Sequence, residues 1–236
     1  MRKSQASRQT RQIRPLDRAF FSRDPRRVAR ELLGKVLVRQ REHADLRQAA
    51  GARLTGRIVE VEAYLGAEDP AAHAAAGNTA RTSVLFGPPG HAYVYFIYGN
   101  HYCLNVSCEP EGQAGGVLFR ALEPLSGIEE MARARGLEVR STKDLPKLTS
   151  GPGRLSEAFG ITRARDNACD LTSPASSLWI GEDGYRAQKV RVTPRIGITK
   201  AADKPLRYLL DGSPFVSGKG LQKRPGRASI PQIRSK

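Results

Sequence analysis

HAYVYFIYGNHYCLNVS, residues 91–107, is the stretch from which the fold can be read. Two aromatic-rich apolar runs flank Gly99-Asn100. Such a pattern reads as two strands joined by a two-residue turn of type II′, with Gly99 at the first central position, where φ must be positive. Tyr, Val, Phe and Ile suit a pleated, half-buried surface. Period-two alternation puts Tyr93, Tyr95 and Ile97 on one face and Val94, Phe96 and Tyr98 on the other. Tyr98 then stands beside the turn, at the tip of a stiff finger. An aromatic there is either a packed or incidental side chain or a probe that enters something else.

Working outward, Thr55–Tyr64 alternates as well. Val59, Val61 and Ala63 face a core, and Ile58, Glu60, Glu62 and Tyr64 face the other way. Two carboxylates on one face of an apolar strand are either wet, on a solvent-facing edge, or buried against partners. Val117–Leu122 is a further strand with Arg120 as its interior charge, and Lys35–Gln40, 178–181, 189–195 and 206–210 complete the set. Asp24-Pro25 reads as an N-cap with Pro at N1, and Gly34 as the stop of a helix whose apolar stripe is Val28, Leu32 and Leu33. Ser126-Gly-Ile-Glu129 reads as a capping box opening a helix through Arg135, stopped by Gly136. A third helical pattern, Leu155, Ala158 and Phe159, follows Thr149–Arg154, whose Ser/Gly-rich entry is an ordinary cap or a phosphate seat. The stretch after Gly66, which carries His73, reads as a loop with a short helix. Residues 138–147 read as a charged loop and residues 41–52 as a mobile loop.

The chain has 236 residues, enough for one compact domain with a sizeable core. Its net charge of +16 and pI of about 10.3 point to phosphate, as nucleic acid or a membrane surface. No apolar run reaches the roughly 18 residues of a membrane span, and the Arg-rich start lacks the apolar segment of a secretory signal. Cys103, Cys108 and Cys169, an odd count with no CxxC pair, argue against a disulfide framework and a zinc knuckle. Residues 1–15 hold five Arg or Lys and no acid, and residues 217–236 hold six and no acid. Both read as disordered basic tails around a folded domain over 16–216.

A tip aromatic, several tyrosines on one hairpin, a strand carboxylate and a basic chain suggest a site for a flat aromatic group next to phosphates. Enzymes that act on a base in duplex DNA must extrude it and fill the gap, and aromatic wedges do the filling. A carboxylate held by an Arg can then polarise a water for attack at a sugar carbon.

RIVEVEAYLGAEDPAAH, FGPPGHAYVYFIYGNHYCLNV, GGVLFRALEPLSG, LTSGPGRL and RIGI…KPLRYLLDGSPFVS, in this order, resemble the alkyladenine (3-methyladenine) DNA glycosylase family over roughly residues 18–217. The resemblance implies an α+β, mixed single domain: a curved antiparallel sheet, surrounding helices and a protruding hairpin that carries the intercalating Tyr98. It implies that Glu62 is the general base, helped by Arg120, and that a main-chain carbonyl near Ile198 completes the water site. Tyr64 and His73 would stack on one side of the flipped base and Tyr95 on the other. Asn105 would screen the base edge, and Glu60 would stand behind Glu62. The implied activity is a monofunctional DNA glycosylase of base excision repair. It hydrolyses the N-glycosidic bond of alkylated or deaminated purines such as 3-methyladenine, 7-methylguanine, hypoxanthine or ethenoadenine. The product is an abasic site, and no metal or other cofactor is implied. The expected partner is double-stranded DNA with a damaged purine, bound by a monomer with no membrane association. Bacterial cytoplasm is the expected location, or an organelle or nucleus in a eukaryote. One rival is a non-catalytic nucleic-acid-binding module built on the Tyr-tipped hairpin. The other is a hydrolase or formyl-transferring enzyme acting on a small molecule or tRNA.

Overall fold

The computed structural model describes residues 12–40 and 53–218. The expectations for the loop at 41–52, and for most of both basic tails, lie outside the described residues. The folded part already includes Arg14–Pro15, which pair with a strand, and Ser217, which is buried. The domain edges thus reach slightly into both stretches read as tails.

Among the described residues nine strands form one open, wholly antiparallel sheet: β1 (Arg14–Pro15), β2 (Val36–Gln40), β3 (Arg53–Tyr64), β4 (Ala92–Ile97), β5 (His101–Cys108), β6 (Gly115–Ser126), β7 (Leu178–Glu182), β8 (Val190–Thr193) and β9 (Arg207–Leu210). The spatial order is β1-β7-β2-β3-β6-β5-β4. Strand β3 is long enough to share one edge between two partners, β2 along Arg53–Arg57 and β9 along Glu60–Glu62. Short helices surround the sheet: α1 (Arg18–Phe21), α2 (Pro25–Leu32), α3 (Ser83–Phe86), α4 (Ile128–Ala134), α5 (Pro146–Thr149), α6 (Pro152–Ala158) and α7 (Arg163–Asp166). One main apolar cluster holds Ile58 together with Val59, Val61 and Ala63. Strand β3 is therefore covered on both faces, and Glu60 and Glu62 have no exposed surface. The wet-edge reading of the two glutamates is excluded.

Local chemistry explains most boundaries. The Asp24 carboxylate accepts the Arg26 N–H at 2.7 Å, Pro25 takes N1, and Val28, Ala29 and Leu32 turn inward on α2. Gly34 ends it at φ +87°, where a Cβ would lie 2.7 Å from the Tyr185 ring. The capping box expected at Ser126 does not form. The Ser126 hydroxyl is used across the sheet, donating to the Arg53 carbonyl at 3.0 Å and meeting the Thr55 hydroxyl at 2.7 Å. Gly127 caps α4 instead, at φ +75°. A capping box does occur at Ser141–Asp144, inside the stretch read as an irregular charged loop.

The hairpin forms as expected, but its turn is longer. Ile97 pairs with His101, leaving Tyr98, Gly99 and Asn100 as the loop. The Asn100 N–H reaches the Ile97 carbonyl at 3.4 Å. The central residues of that turn are Tyr98 at φ +56° and Gly99 at φ +73°, the signs a type I′ turn requires. Tyr98 belongs to the turn rather than to the strand. The left-handed region costs an L-residue roughly 1–2 kcal/mol, and Tyr98 pays this while 80% exposed.

Candidate active site

Cross-strand register assembles the site. Glu62 on β3 pairs with Leu118 on β6, Leu118 with Asn105 on β5, and Asn105 with Tyr93 on β4. These four lie in one line across the sheet. The next line along β4 and β5 pairs Tyr95 with Cys103, and the one beyond pairs Ile97 with His101. Strand alternation therefore points Tyr93, Tyr95, Ile97, His101, Cys103 and Asn105 to one face. They line a cavity of about 410 Å³ together with Tyr64, His73, Tyr98, Arg120 and the 196–198 loop. That size is in the range of small-molecule sites.

Glu62 is fully buried and is bonded to three residues that line this cavity, Tyr64, Arg120 and Ile196. Its Oε1 accepts the Ile196 N–H at 2.8 Å and faces Arg120 Nη1 at 3.1 Å, and its Oε2 accepts the Tyr64 hydroxyl at 3.0 Å. Burial pushes the Glu62 carboxyl up from the usual glutamate value, while Arg120, the Ile196 N–H and the Tyr64 hydroxyl pull it back. A carboxylate has about four acceptor positions. Among the described residues Oε1 uses two and Oε2 one, which leaves one acceptor position on Oε2. Tyr64 stays protonated, because burial and then the Glu62 charge both disfavour its ionised form.

Arg120 holds the site from behind. Its Nε donates to Glu60 Oε1 at 3.0 Å, Nη2 to the Ser217 hydroxyl at 3.3 Å, and Nη1 lies 3.5 Å from the Ile196 carbonyl. Glu60 in turn accepts from Arg207 Nε at 2.6 Å, the Ser217 N–H at 2.5 Å and the Ser217 hydroxyl at 2.9 Å. The β3–β6 ladder is irregular at Glu60. Bulges are common next to active sites, where they re-aim side chains.

The aromatic wall comes from β4 and from the 3-10 turn His73–Ala76. Burial and then the Arg81 charge hold the His73 imidazole below its usual pKa, so it is neutral at pH 7. Arg81 Nη2, which can only donate, lies 3.5 Å from His73 Nε2. The proton is thereby assigned to Nδ1, which donates to the Tyr93 hydroxyl at 2.9 Å. The Asn105 side-chain amide donates to the Tyr93 carbonyl at 3.1 Å, which fixes its orientation. His73 and Tyr95 meet edge to face, ring centroids 4.6 Å apart at 72°. Two stacking contacts need about 7 Å between rings. A base held between His73 and Tyr95 therefore requires one ring to swing.

The structure thus brings together the residues singled out from sequence: Glu62, Tyr64, His73, Tyr95, Tyr98, Asn105, Arg120 and Ile198. The main-chain contacts to Glu62 and Arg120 fall on Ile196, two residues before Ile198, which lines the cavity. Alternation alone could have added Tyr93, His101 and Cys103, which share a face with Tyr95 and Asn105. Nothing local marks Asp69, Arg195, Arg207 or Ser217, whose partners are distant in sequence. Among the described residues no group of three or more His, Cys, Asp or Glu is placed to hold a metal ion. Among the described residues no helix is long and apolar enough to cross a membrane.

Residues 19–214 match the model of the methylpurine-DNA glycosylase (MPG) family. A protein of Koribacter versatilis is 65% identical over 208 residues, 88% of this chain and 95% of the relative. One from Rhodopseudomonas palustris is 48% identical over 86% of this chain and 90% of its own length. One from Methanoculleus marisnigri is 46% identical over 86% and 98%. All three carry names that provisionally assign them 3-methyladenine DNA glycosylase activity.

Proposed function

Because the chain belongs to the methylpurine-DNA glycosylase family, we propose that it excises damaged purines from duplex DNA by hydrolysis of the N-glycosidic bond. The observation that carries this reading is the fully buried Glu62, held by Arg120, Tyr64 and the Ile196 N–H, all three from residues that line an aromatic cavity. A flipped purine enters the cavity and stacks on Tyr64, His73 and Tyr95. Tyr98, exposed at the finger tip, fills the gap left in the duplex.

A water bound at the remaining acceptor position of Glu62 Oε2 gives its proton to the carboxylate. Its oxygen attacks the sugar C1′, the C1′–N bond breaks, and the bonding pair leaves with the base. An N3- or N7-alkylated purine is cationic and departs neutral, so it needs no acid. The sugar passes through an oxocarbenium-like state that the buried carboxylate stabilises. The backbone stays intact around an abasic site. Asn105, oriented by the Tyr93 carbonyl, reads the edge of the base. The enzyme acts as a monomer on duplex DNA and requires no metal.

The test uses duplexes that each carry one 3-methyladenine analogue, hypoxanthine, ethenoadenine or 7-methylguanine, incubated with the protein in EDTA and then treated with hot alkali. Strand cleavage only after alkali, at a lesion, is the expected result. Tight duplex binding with no alkali-labile site at any lesion would overturn the catalytic reading.

A further inference from the structure

Tyr64, His73 and Ile196 reach the cavity from three separate segments, and one buried ion pair is tied to all of them. The side chains of Asp69 and Arg195 are wholly buried. Arg195 grips Asp69 with two parallel bonds, Nη1 to Oδ2 at 2.5 Å and Nη2 to Oδ1 at 2.9 Å. Its Nη1 also donates to the Ala63 carbonyl at 3.1 Å, and its guanidinium lies over the Tyr64 ring, 4.6 Å from the centroid. Arg195 directly precedes Ile196, whose N–H is bonded to Glu62. Asp69 accepts further bonds from the Leu65 and Ala71 N–H groups, each at 3.2 Å. Ala71 leads into the turn that carries His73.

Resting on the glycosylase reading, we propose that the Asp69–Arg195 pair is a positioning unit for Glu62. It holds the Tyr64 hydroxyl and the Ile196 N–H on the two carboxylate oxygens. Arg195 fixes the tilt of the Tyr64 ring from behind through cation–π contact, which is stronger away from water. It fixes the chain at Ile196 because its own head is clamped at four points: two on Asp69, one on Ala63 and one on the ring. A fork of this kind sets both direction and distance, which a point charge does not. Burial opposes ionisation of Asp69, but the Arg195 fork and the two N–H donors hold its carboxyl below the usual range. The clamp is therefore charged whenever Glu62 can act as a base.

The groups that face Glu62 are Arg120 from β6, Tyr64 and Glu60 from β3, Cys103 from β5, and Arg195 with the Ile196 N–H from the loop after β8. Only Tyr64 and Ile196 depend on the clamp. Loosening the clamp removes two donors that favour the ionised carboxylate and leaves burial unopposed by them. Glu62 then protonates at higher pH, and the acid limb of the excision rate moves up.

The experiment measures single-turnover excision against pH for the wild-type chain, Asp69→Asn and Arg195→Lys, with thermal melting of each. Asp69→Asn keeps the shape and removes the charge, and Arg195→Lys keeps the charge and removes the fork. The expected result is cooperative melting and a rate lower by roughly ten- to a hundredfold in both variants, with an acid limb raised by about half a unit or more in Arg195→Lys, which keeps both charges. An acid limb at the wild-type position in Arg195→Lys would overturn the proposal, whatever happened to the rate. So would loss of cooperative melting in the isosteric Asp69→Asn, since the pair would then serve folding rather than positioning. A wild-type chain that excises no lesion would instead sink the glycosylase reading, and that is seen before either variant is assayed.

Discussion

Glu60 and Glu62 lie two residues apart on one strand face, both fully buried, yet their environments differ. Glu60 is bonded by Arg120, Arg207 and both donors of Ser217. Among the described residues Arg207 pairs with no carboxylate besides Glu60. Removing one partner of a buried ion pair leaves the other uncompensated, at a cost of about 3 kcal/mol. Glu60→Gln should lose stability of that order in urea unfolding, and a variant as stable as wild type would count against the network. Glu62 is held less completely, and burial leaves its pKa raised. A raised folded-state pKa means the folded chain binds the proton more tightly than the unfolded chain. Stability from Glu62 is then full below the unfolded value near 4.5 and falls as pH rises through the folded value. Glu62→Gln does not titrate, so its melting temperature should gain on wild type between pH 4 and 7. Its excision rate should drop at least about a hundredfold if Glu62 is the general base proposed above. Parallel melting curves across that range, or full activity, would show that Glu62 is not the strained base.

At the scale of the element, the hairpin departs furthest from local preference. Its strands were legible, since alternation separates cavity-facing Tyr93, Tyr95 and Ile97 from Val94 in the core and Phe96 outside. Its turn was not. Propensity assigns the positive φ to Gly99 and withholds it from Tyr98, because a Cβ disfavours that region. The structure places both there and so sets an aromatic ring at the tip. Asn tolerates the left-handed region, and Asn-Gly is the preferred type I′ pair. Tyr98→Asn should therefore stabilise the fold by about 1 kcal/mol and weaken capture of the extruded base, read with a fluorescent base analogue. An unchanged flipping equilibrium would remove Tyr98 from the wedge role. The Ser126 box failed for a similar reason: a local motif was legible, but a hydroxyl bonded across the sheet to Arg53 and Thr55 cannot also cap a helix.

Across the whole molecule, most strands follow from local patterns, whereas their order in the sheet and the pairs that hold the site do not. Asp69 and Arg195 are 126 residues apart, Glu60 and Arg207 147, and Glu60 and Ser217 157. Only the fold brings them together, so no window of sequence contains the signal. Charge is different, because it acts at a distance and can be read without a fold. Residues 1–11 and 219–236 carry ten of the 39 Lys and Arg and no acid, so their removal takes the net charge from +16 to +6. The sheet begins at Arg14 and the last described buried side chain is Ser217, so a chain spanning residues 12–218 retains every contact described here. Each phosphate neutralised contributes about 0.9 to the slope of log affinity against log salt. If the two ends add non-specific DNA affinity, the 12–218 chain should bind undamaged duplex more weakly, with a shallower salt slope. Excision from a saturated duplex should be unaffected, because no cavity residue is lost. A slope equal to that of the full chain would mean that the +6 core alone makes the phosphate contacts. The ten terminal cations would then contribute to solubility rather than to DNA binding.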